Sequence, residues 1–199
     1  MAKLYFRYGT MGSGKSIDLL KVAYNYEEQG KRVCLFTYGK DDRYEKGTIT
    51  TRIGLQREAN VFFPDTNVEE LIRNTCYPVD CVLVDEAQFL TEKQVEEFCN
   101  MVDEMDIPVI CYGLRTDFKL NFFSGSAALM KYADKIEEIK TICSCGKKAT
   151  INMRMKEGKI VLEGEQEVIG GNDLYRAVCR KCYKAYIKEA EQKKQDPKF

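Results

Sequence analysis

Two periods of hydrophobic residues alternate along the chain and outline a fold. Leu4-Tyr5-Phe6-Arg7-Tyr8 is a short, β-rich run, and over residues 17–28 Leu19, Leu20, Ala23 and Tyr26 fall on one helical stripe that Gly30 ends. Arg32 to Thr37 again reads as strand. Residues 39–60 mix charge and glycine with little periodicity and predict a mobile functional loop. Thr66-Asn-Val-Glu69 offers a capping box for a short helix ending near Cys76. Val79-Asp-Cys-Val-Leu-Val-Asp85 is the continuous apolar run of a central parallel strand, which helices cover on both faces. Thr91-x-x-Gln94 caps a third helix reaching about Met105, and Pro108 to Tyr112 supplies another buried strand before Gly113. Strands alternating with helices predict a doubly wound, mostly parallel α/β sheet.

From about Thr141 the pattern changes. Short β-like pieces gather around Gly146, Gly158, Gly164 and Gly170-Gly171, bracketed by cysteine pairs. The expected division is a larger α/β domain over 1–140, a small domain over 141–187, and a charged tail over 188–199 that frays or is disordered. There is no internal repeat.

Composition narrows the class. With 44% hydrophobic residues, 199 residues can bury one core and a small appendage. The 31 basic and 31 acidic residues cancel, so no general field draws the chain to nucleic acid or an anionic membrane. No apolar run reaches membrane-spanning length and no signal pattern precedes the first strand, which predicts a cytoplasmic protein. Of nine cysteines, Cys34, Cys81 and Cys111 sit in strand-like runs and read as buried reduced thiols, while Cys143, Cys145, Cys179 and Cys182 cluster. Histidine is absent, so acid–base chemistry falls to carboxylate, lysine, tyrosine or cysteine.

The chemistry starts at Gly9-Thr10-Met11-Gly12-Ser13-Gly14-Lys15-Ser16. Between a strand and a helix, this spacing is a P-loop: the glycines let N–H groups approach phosphates, Lys15 reaches the β- and γ-phosphates, and Ser16 holds magnesium. Asp85 and Glu86 end a buried strand at the same sheet edge. Asp85 suits orientation of magnesium, and Glu86 suits taking a proton from a nucleophile. The pair by itself does not separate hydrolysis from transfer. Gln166 to Gly170 lead into a glycine pair that reads either as a backbone clamp for a ligand or as a tight hairpin turn. Of Phe122 and Phe123, one is expected to face inward. The four clustered cysteines suit a structural zinc, with free thiols or a disulfide as the alternatives.

V-D-E-A-Q-F at 84–89, G-L-R-T-D-F at 113–118 and E-V-I-G-G-N-D-L-Y at 167–175, following a P-loop in this order, resemble the type II thymidine kinase family over nearly the whole chain. The resemblance implies a P-loop, RecA-like sheet with a small zinc-ribbon or lasso domain, and a kinase moving the γ-phosphoryl group of magnesium-ATP to the 5′-hydroxyl of thymidine or deoxyuridine. It implies Glu86 as base and Arg43, in D-D-R-Y, steadying the reacting groups, with Asp41 of the same loop the next candidate base. Gln88 would join the ATP site. Met11, Phe89, Leu114, Phe118 and Phe123 would wall the thymine, Asn152 would lie near the base, Gln166, Val168, Ile169 and Gly170 would hold its edge, and Tyr175 would meet the sugar. It further implies a homotetramer inhibited by thymidine triphosphate. One departure stands out: Cys143-x-Cys145 is a residue shorter than the family's C-x2-C. The competing class is a P-loop ATPase whose zinc ribbon grips nucleic acid, against which the zero net charge argues.

Overall fold

The computed structural model describes residues 1–40, 47–167 and 174–195. The chain order is β1 (Leu4–Tyr8), α1 (Lys15–Glu28), β2 (Val33–Tyr38), β3 (Thr48–Thr50), β4 (Gln56–Glu58), β5 (Asn60–Phe62), α2 (Val68–Thr75), β6 (Cys81–Val84), α3 (Glu92–Met105), β7 (Val109–Gly113), α4 (Ser124–Tyr132), β8 (Lys135–Glu138), β9 (Ile151–Lys156), β10 (Lys159–Ile160), β11 (Tyr175–Val178) and α5 (Arg180–Gln195). Six strands form a parallel sheet in the order β5-β2-β6-β7-β1-β8.

Strand alternation divides the core between two faces. Cys34 and Phe36, Val82 and Val84, Val109 and Cys111 point into a cluster closed by Ile72 of α2, Val95, Phe98 and Met101 of α3, and Leu129 of α4. Leu35, Cys81, Leu83, Ile110 and Tyr112 point the other way onto Leu19, Leu20 and Ala23 of α1. Because both faces are covered, the strands read as unbroken apolar runs. A second sheet, β10-β9-β11, is antiparallel. Its own small core holds Ala149, Ile151, Met153, Met155, Val178 and Tyr183 beside the cysteine cluster.

Four local expectations change. Residues 39–60 are not all loop: β3 and β4 pair as a hairpin and β5 joins the main sheet beside β2. The hairpin is anchored by buried Ile49 and by Arg57, whose guanidinium meets both oxygens of Glu27 on α1 at 2.9 and 2.6 Å. Its strands are three residues each, too short to show a period. The cap of α2 is Asn67, whose side chain accepts the Glu70 N–H, while Thr66 Oγ1 accepts from Phe63 N. The charged segment from Lys188 continues α5 as far as Gln195, because an apolar strip behind it, with Tyr183, Tyr186 and Ile187, packs on the small core. Cys34 is not a free thiol: it is disulfide-bonded to Cys76, with Cα atoms 5.7 Å apart. Parallel pairing of β2 brings it beside the end of α2, within bridging range, which spacing along the chain does not reveal. Cys81 and Cys111 remain free and buried, as expected.

Candidate active site

The site lies along the carboxyl edge of the main sheet, where β1, β6 and β7 each deliver a functional segment. Beyond β1, Gly12 (φ 74°) and Gly14 (φ 86°) take left-handed backbone conformations, and α1 starts with no side-chain cap on its first N–H groups. Those donors and the helix dipole form an anion seat. Lys15 is buried, its Nζ donating to Thr10 O (3.0 Å) and Gly9 O (3.4 Å), so the cation is held over the loop.

Beyond β6, Ser16 Oγ donates to Asp85 Oδ2 at 2.7 Å, which joins the two expected magnesium residues directly. Burial, and then the charge of neighbouring Glu86, push the Asp85 carboxyl up to about 6, with Ser16 and Lys15 pulling the other way. A divalent cation fits this pairing of a buried carboxylate with a hydroxyl oxygen.

Glu86 itself is left-handed (φ 53°, ψ 35°), an unusual state for a non-glycine residue that its surroundings must enforce. Its N–H donates to Asp85 Oδ1 at 3.0 Å, its carbonyl accepts from Phe89 N at 3.1 Å, and its carboxylate accepts from the Gln88 side chain. Gln88 Oε1 in turn accepts the Leu114 N–H at 3.0 Å. One buried amide thus ties the carboxylate to the loop beyond β7. This approach needs Gly113, where a Cβ would sit 2.9 Å from both Gln88 N and Oε1.

A cavity runs past all of these groups. It is lined by Met11, Gly12, Gly14, Lys15, Ser16, Asp85 and Glu86, and also by Gln88, Phe89, Leu114, Phe118, Phe123, Asn152, Gln166 and Tyr175. Gly9, Thr10 and Ser13 do not line it and shape the loop from behind. Phe123 is buried and Phe122 is 52% exposed, so the inward member of the pair is Phe123. Phe89 stacks on Tyr38, with ring centroids 4.4 Å apart, and meets Phe123 edge-on at 5.6 Å, making a fixed aromatic wall. Asn152 Oδ1 accepts the Met11 N–H at 2.8 Å, so β9 is tied to the P-loop. Gln166 Nε2 donates to Asp117 Oδ2 (3.0 Å) and Phe122 O (3.2 Å), pinning the start of the expected clamp. Arg43, Asp41, Val168, Ile169 and Gly170 lie outside the described residues.

Sequence reading missed Thr48 to Arg52 of the hairpin, Thr116 and Asp117 as cavity residues, while Glu167 falls within the expected clamp. Asp117 was visible inside G-L-R-T-D-F. For Arg154, also unnamed from the sequence, the signal is Ile151-Asn-Met-Arg-Met155, where the apolar residues enter the small core and the polar ones share the opposite face.

The four sulfurs of Cys143, Cys145, Cys179 and Cys182 lie within 4.8 Å of one another, and Cys145 Sγ is 3.6 Å from Cys179 Sγ. Two thiolates bound to one tetrahedral zinc stand about 3.8 Å apart, from Zn–S bonds of about 2.3 Å, so the donor set fits that ion. The short Cys143-x-Cys145 pair still brings both sulfurs into the cluster, with Gly146 (φ 81°) turning the chain back and Cys143 N reaching Lys147 O at 2.7 Å. N–H groups of Cys145 and Cys179 aimed at Cys143 hold its thiol down to about 6, favouring the thiolate a metal needs.

Residues 2–183 match the family described as Thymidine kinase. The chain belongs to the thymidine kinase family. A thymidine kinase of Listeria monocytogenes serotype 4b (strain F2365) is 55% identical over 185 residues, covering 92% of this chain and 97% of the relative. One of Enterococcus faecalis (strain ATCC 700802 / V583) is 54% identical over 184 residues, covering 92% and 95%. One of Photorhabdus laumondii is 49% identical over 199 residues, covering 98% and 99%. For a thymidine kinase family member, one cavity carrying both a phosphate seat and an apolar, backbone-rich pocket is the arrangement that ATP-dependent phosphoryl transfer requires.

Proposed function

We propose that the chain transfers the γ-phosphoryl group of magnesium-ATP to the 5′-hydroxyl of thymidine, and of deoxyuridine, giving the 5′-monophosphate and ADP. The observation that carries this reading is the continuity of the cavity. Gly12, Gly14, Lys15 and Ser16 stand at the phosphate seat, Leu114, Phe118, Phe123, Asn152 and Gln166 form apolar and polar walls, and Glu86 stands on the segment joining the two.

In the step itself, the Glu86 carboxylate takes the 5′-hydroxyl proton as that oxygen bonds to the γ-phosphorus and the bond to the ADP oxygen breaks. Lys15 and the amide groups of the P-loop hold the phosphates in line, and Arg43 steadies the transferring group from its loop. Ser16 and Asp85 would hold magnesium, which would supply charge neutralisation of the phosphates. Phe89, Leu114, Phe118 and Phe123 exclude water from the base, Gln166, Val168, Ile169 and Gly170 read its edge with main-chain groups, and Tyr175 meets the sugar. Cys143, Cys145, Cys179 and Cys182 would hold a structural zinc, which would anchor the small 141–187 domain.

We further assign the enzyme to the cytoplasm, as a homotetramer inhibited by thymidine triphosphate, with no nucleic-acid or membrane partner. Among the described residues no helix is long and apolar enough to cross a membrane. A nucleoside panel with ATP and magnesium, read as ADP release and monophosphate formed, tests the proposal. Pyrimidine deoxynucleosides should be converted and purines left. ATP hydrolysis stimulated by single-stranded DNA, with no monophosphate formed, would replace the kinase with a nucleic-acid motor.

A further inference from the structure

Arg154, on β9, is 6% exposed, yet none of its described partners is anionic. Its Nε and Nη2 both donate to the Tyr175 hydroxyl, Nη1 donates to Glu165 O at 2.8 Å, and Nη2 donates to Gln166 O at 3.3 Å. Its guanidinium carbon lies 3.8 Å from the Phe118 ring centroid and 5.2 Å from that of Tyr175. Burying a charge with only neutral partners is costly, and replacing it by a well-packed apolar side chain is the ordinary way to avoid that cost.

What the guanidinium does that an apolar side chain does not is join three separate chain segments. Phe118 comes from the loop beyond β7, Gln166 from the start of the clamp, and Tyr175 from β11, and each lines the nucleoside end of the cavity. Arg154 itself stands behind them. A flat fork with five N–H groups is the side chain that can reach two carbonyls and a hydroxyl while stacking on a ring. In a trans peptide the N–H points opposite to the preceding C=O. With the carbonyls of Glu165 and Gln166 drawn to Arg154, the N–H groups of Gln166 and Glu167 turn away from it, and neither donates to protein among the described residues. Two backbone donors turned this way beside an apolar pocket match the carbonyl oxygens of a pyrimidine edge.

We propose that Arg154 is a positioning residue for nucleoside recognition: from behind the pocket it sets Phe118, the Glu165–Gln166 backbone and Tyr175 in their binding arrangement before the nucleoside arrives. This rests on thymidine being the acceptor, which the parent enzyme checks independently in the same assay.

The test is steady-state kinetics and calorimetric thymidine binding for Arg154→Lys and Arg154→Met in the full chain, with near-UV circular dichroism and metal content as controls. Lysine keeps the charge and stem but neither the fork nor the flat stacking. Freeing one residue's worth of preset backbone corresponds to about tenfold in affinity. The thymidine KM and Kd should therefore rise about tenfold in Arg154→Lys and further in Arg154→Met, with the ATP KM moved less than about twofold. A thymidine Kd within about twofold of the parent in both variants overturns the proposal. So do KM values for ATP and thymidine that rise together, or variants that fail to fold, since any of these would make Arg154 a general stabiliser of β9. A parent inactive on thymidine would sink the functional reading instead.

Discussion

Replacing Glu86 by glutamine isolates basicity from everything else that the side chain does. The N–H that Asp85 holds at 3.0 Å and the carbonyl that Phe89 N reaches at 3.1 Å are backbone groups and survive the change. The Gln88 amide keeps an oxygen acceptor in place of Glu86 Oε2. Glutamine has no greater difficulty than glutamate at φ 53°. The lost charge also relieves the repulsion that helps to push the Asp85 carboxyl up, so Asp85 ionises more readily and its hold on a divalent cation does not weaken. The folded state should therefore stay within about 0.5 kcal/mol of the parent, a melting shift of about 1–2 °C. Turnover has no such compensation: histidine, the commonest general base, is absent from the chain, and the neighbouring carboxylate, Asp85, is engaged with Ser16 and the Glu86 N–H. A positioned base contributes about 10²- to 10⁴-fold, or about 3–5 kcal/mol of barrier. Rapid-quench single turnovers with saturating magnesium-ATP and thymidine measure the step directly, with equilibrium binding of both substrates expected within about threefold of the parent. A single-turnover rate within about fivefold of the parent would refute the assignment and shift attention to Asp41.

Gly125→Ala should lower stability by about 1–3 kcal/mol, about 2–4 °C of melting temperature per kcal/mol, since its Cβ would meet the carbonyl oxygens of Leu90 (2.8 Å), Gln88 (2.9 Å) and, closer still, Ala87; an unchanged melt would show that α4 moves aside freely. Arg7 bonds Glu137 Oε2 at 2.7 Å and Asp18 Oδ2 at 3.0 Å, and first Arg7, then Lys135, hold the Glu137 carboxyl below its ordinary 4.5. Because the folded value is depressed, this contribution is full above about 4.5 and is lost as pH falls through the folded value. Arg7→Met should thus show its largest deficit in urea midpoint at pH 7, about 1–3 kcal/mol, and converge on the parent in acid; a deficit independent of pH would mean lost packing only. Elemental analysis should find one zinc per chain, and chelation should lower the melting temperature, because the core around Met153 is small and includes Cys143 and Cys179 of the cluster, so metal-binding energy would become folding energy. Metal-free protein with an unchanged melt would contradict that.

Much of this protein is local and therefore legible in one dimension. Gly9 to Ser16 encode a strand-to-helix turn in contiguous residues, Thr91 and Gln94 cap α3 through a box spanning one helical turn, and the apolar run into Asp85 announces a strand buried on both faces. Phosphate seat, acid pair and cysteine pairs could be named for the same reason: each needs fixed residue types at fixed short spacing. What the tertiary structure decided depends on pairs distant along the chain. β3 and β4 are too short to carry a period and stand as a hairpin only because Ile49 enters the α1-side core and Arg57 meets Glu27. Cys34 meets Cys76 across 42 residues because β2 and α2 pack side by side. The charged end of α5 remains helical because its apolar stripe finds the small core. Above all, Arg154 looks like a solvent-facing position of an alternating strand until β9 docks against the P-loop and the β7 loop. Alternation states which residues share a face of a strand, and only the packing of one sheet against another states whether that face meets water or a binding cavity.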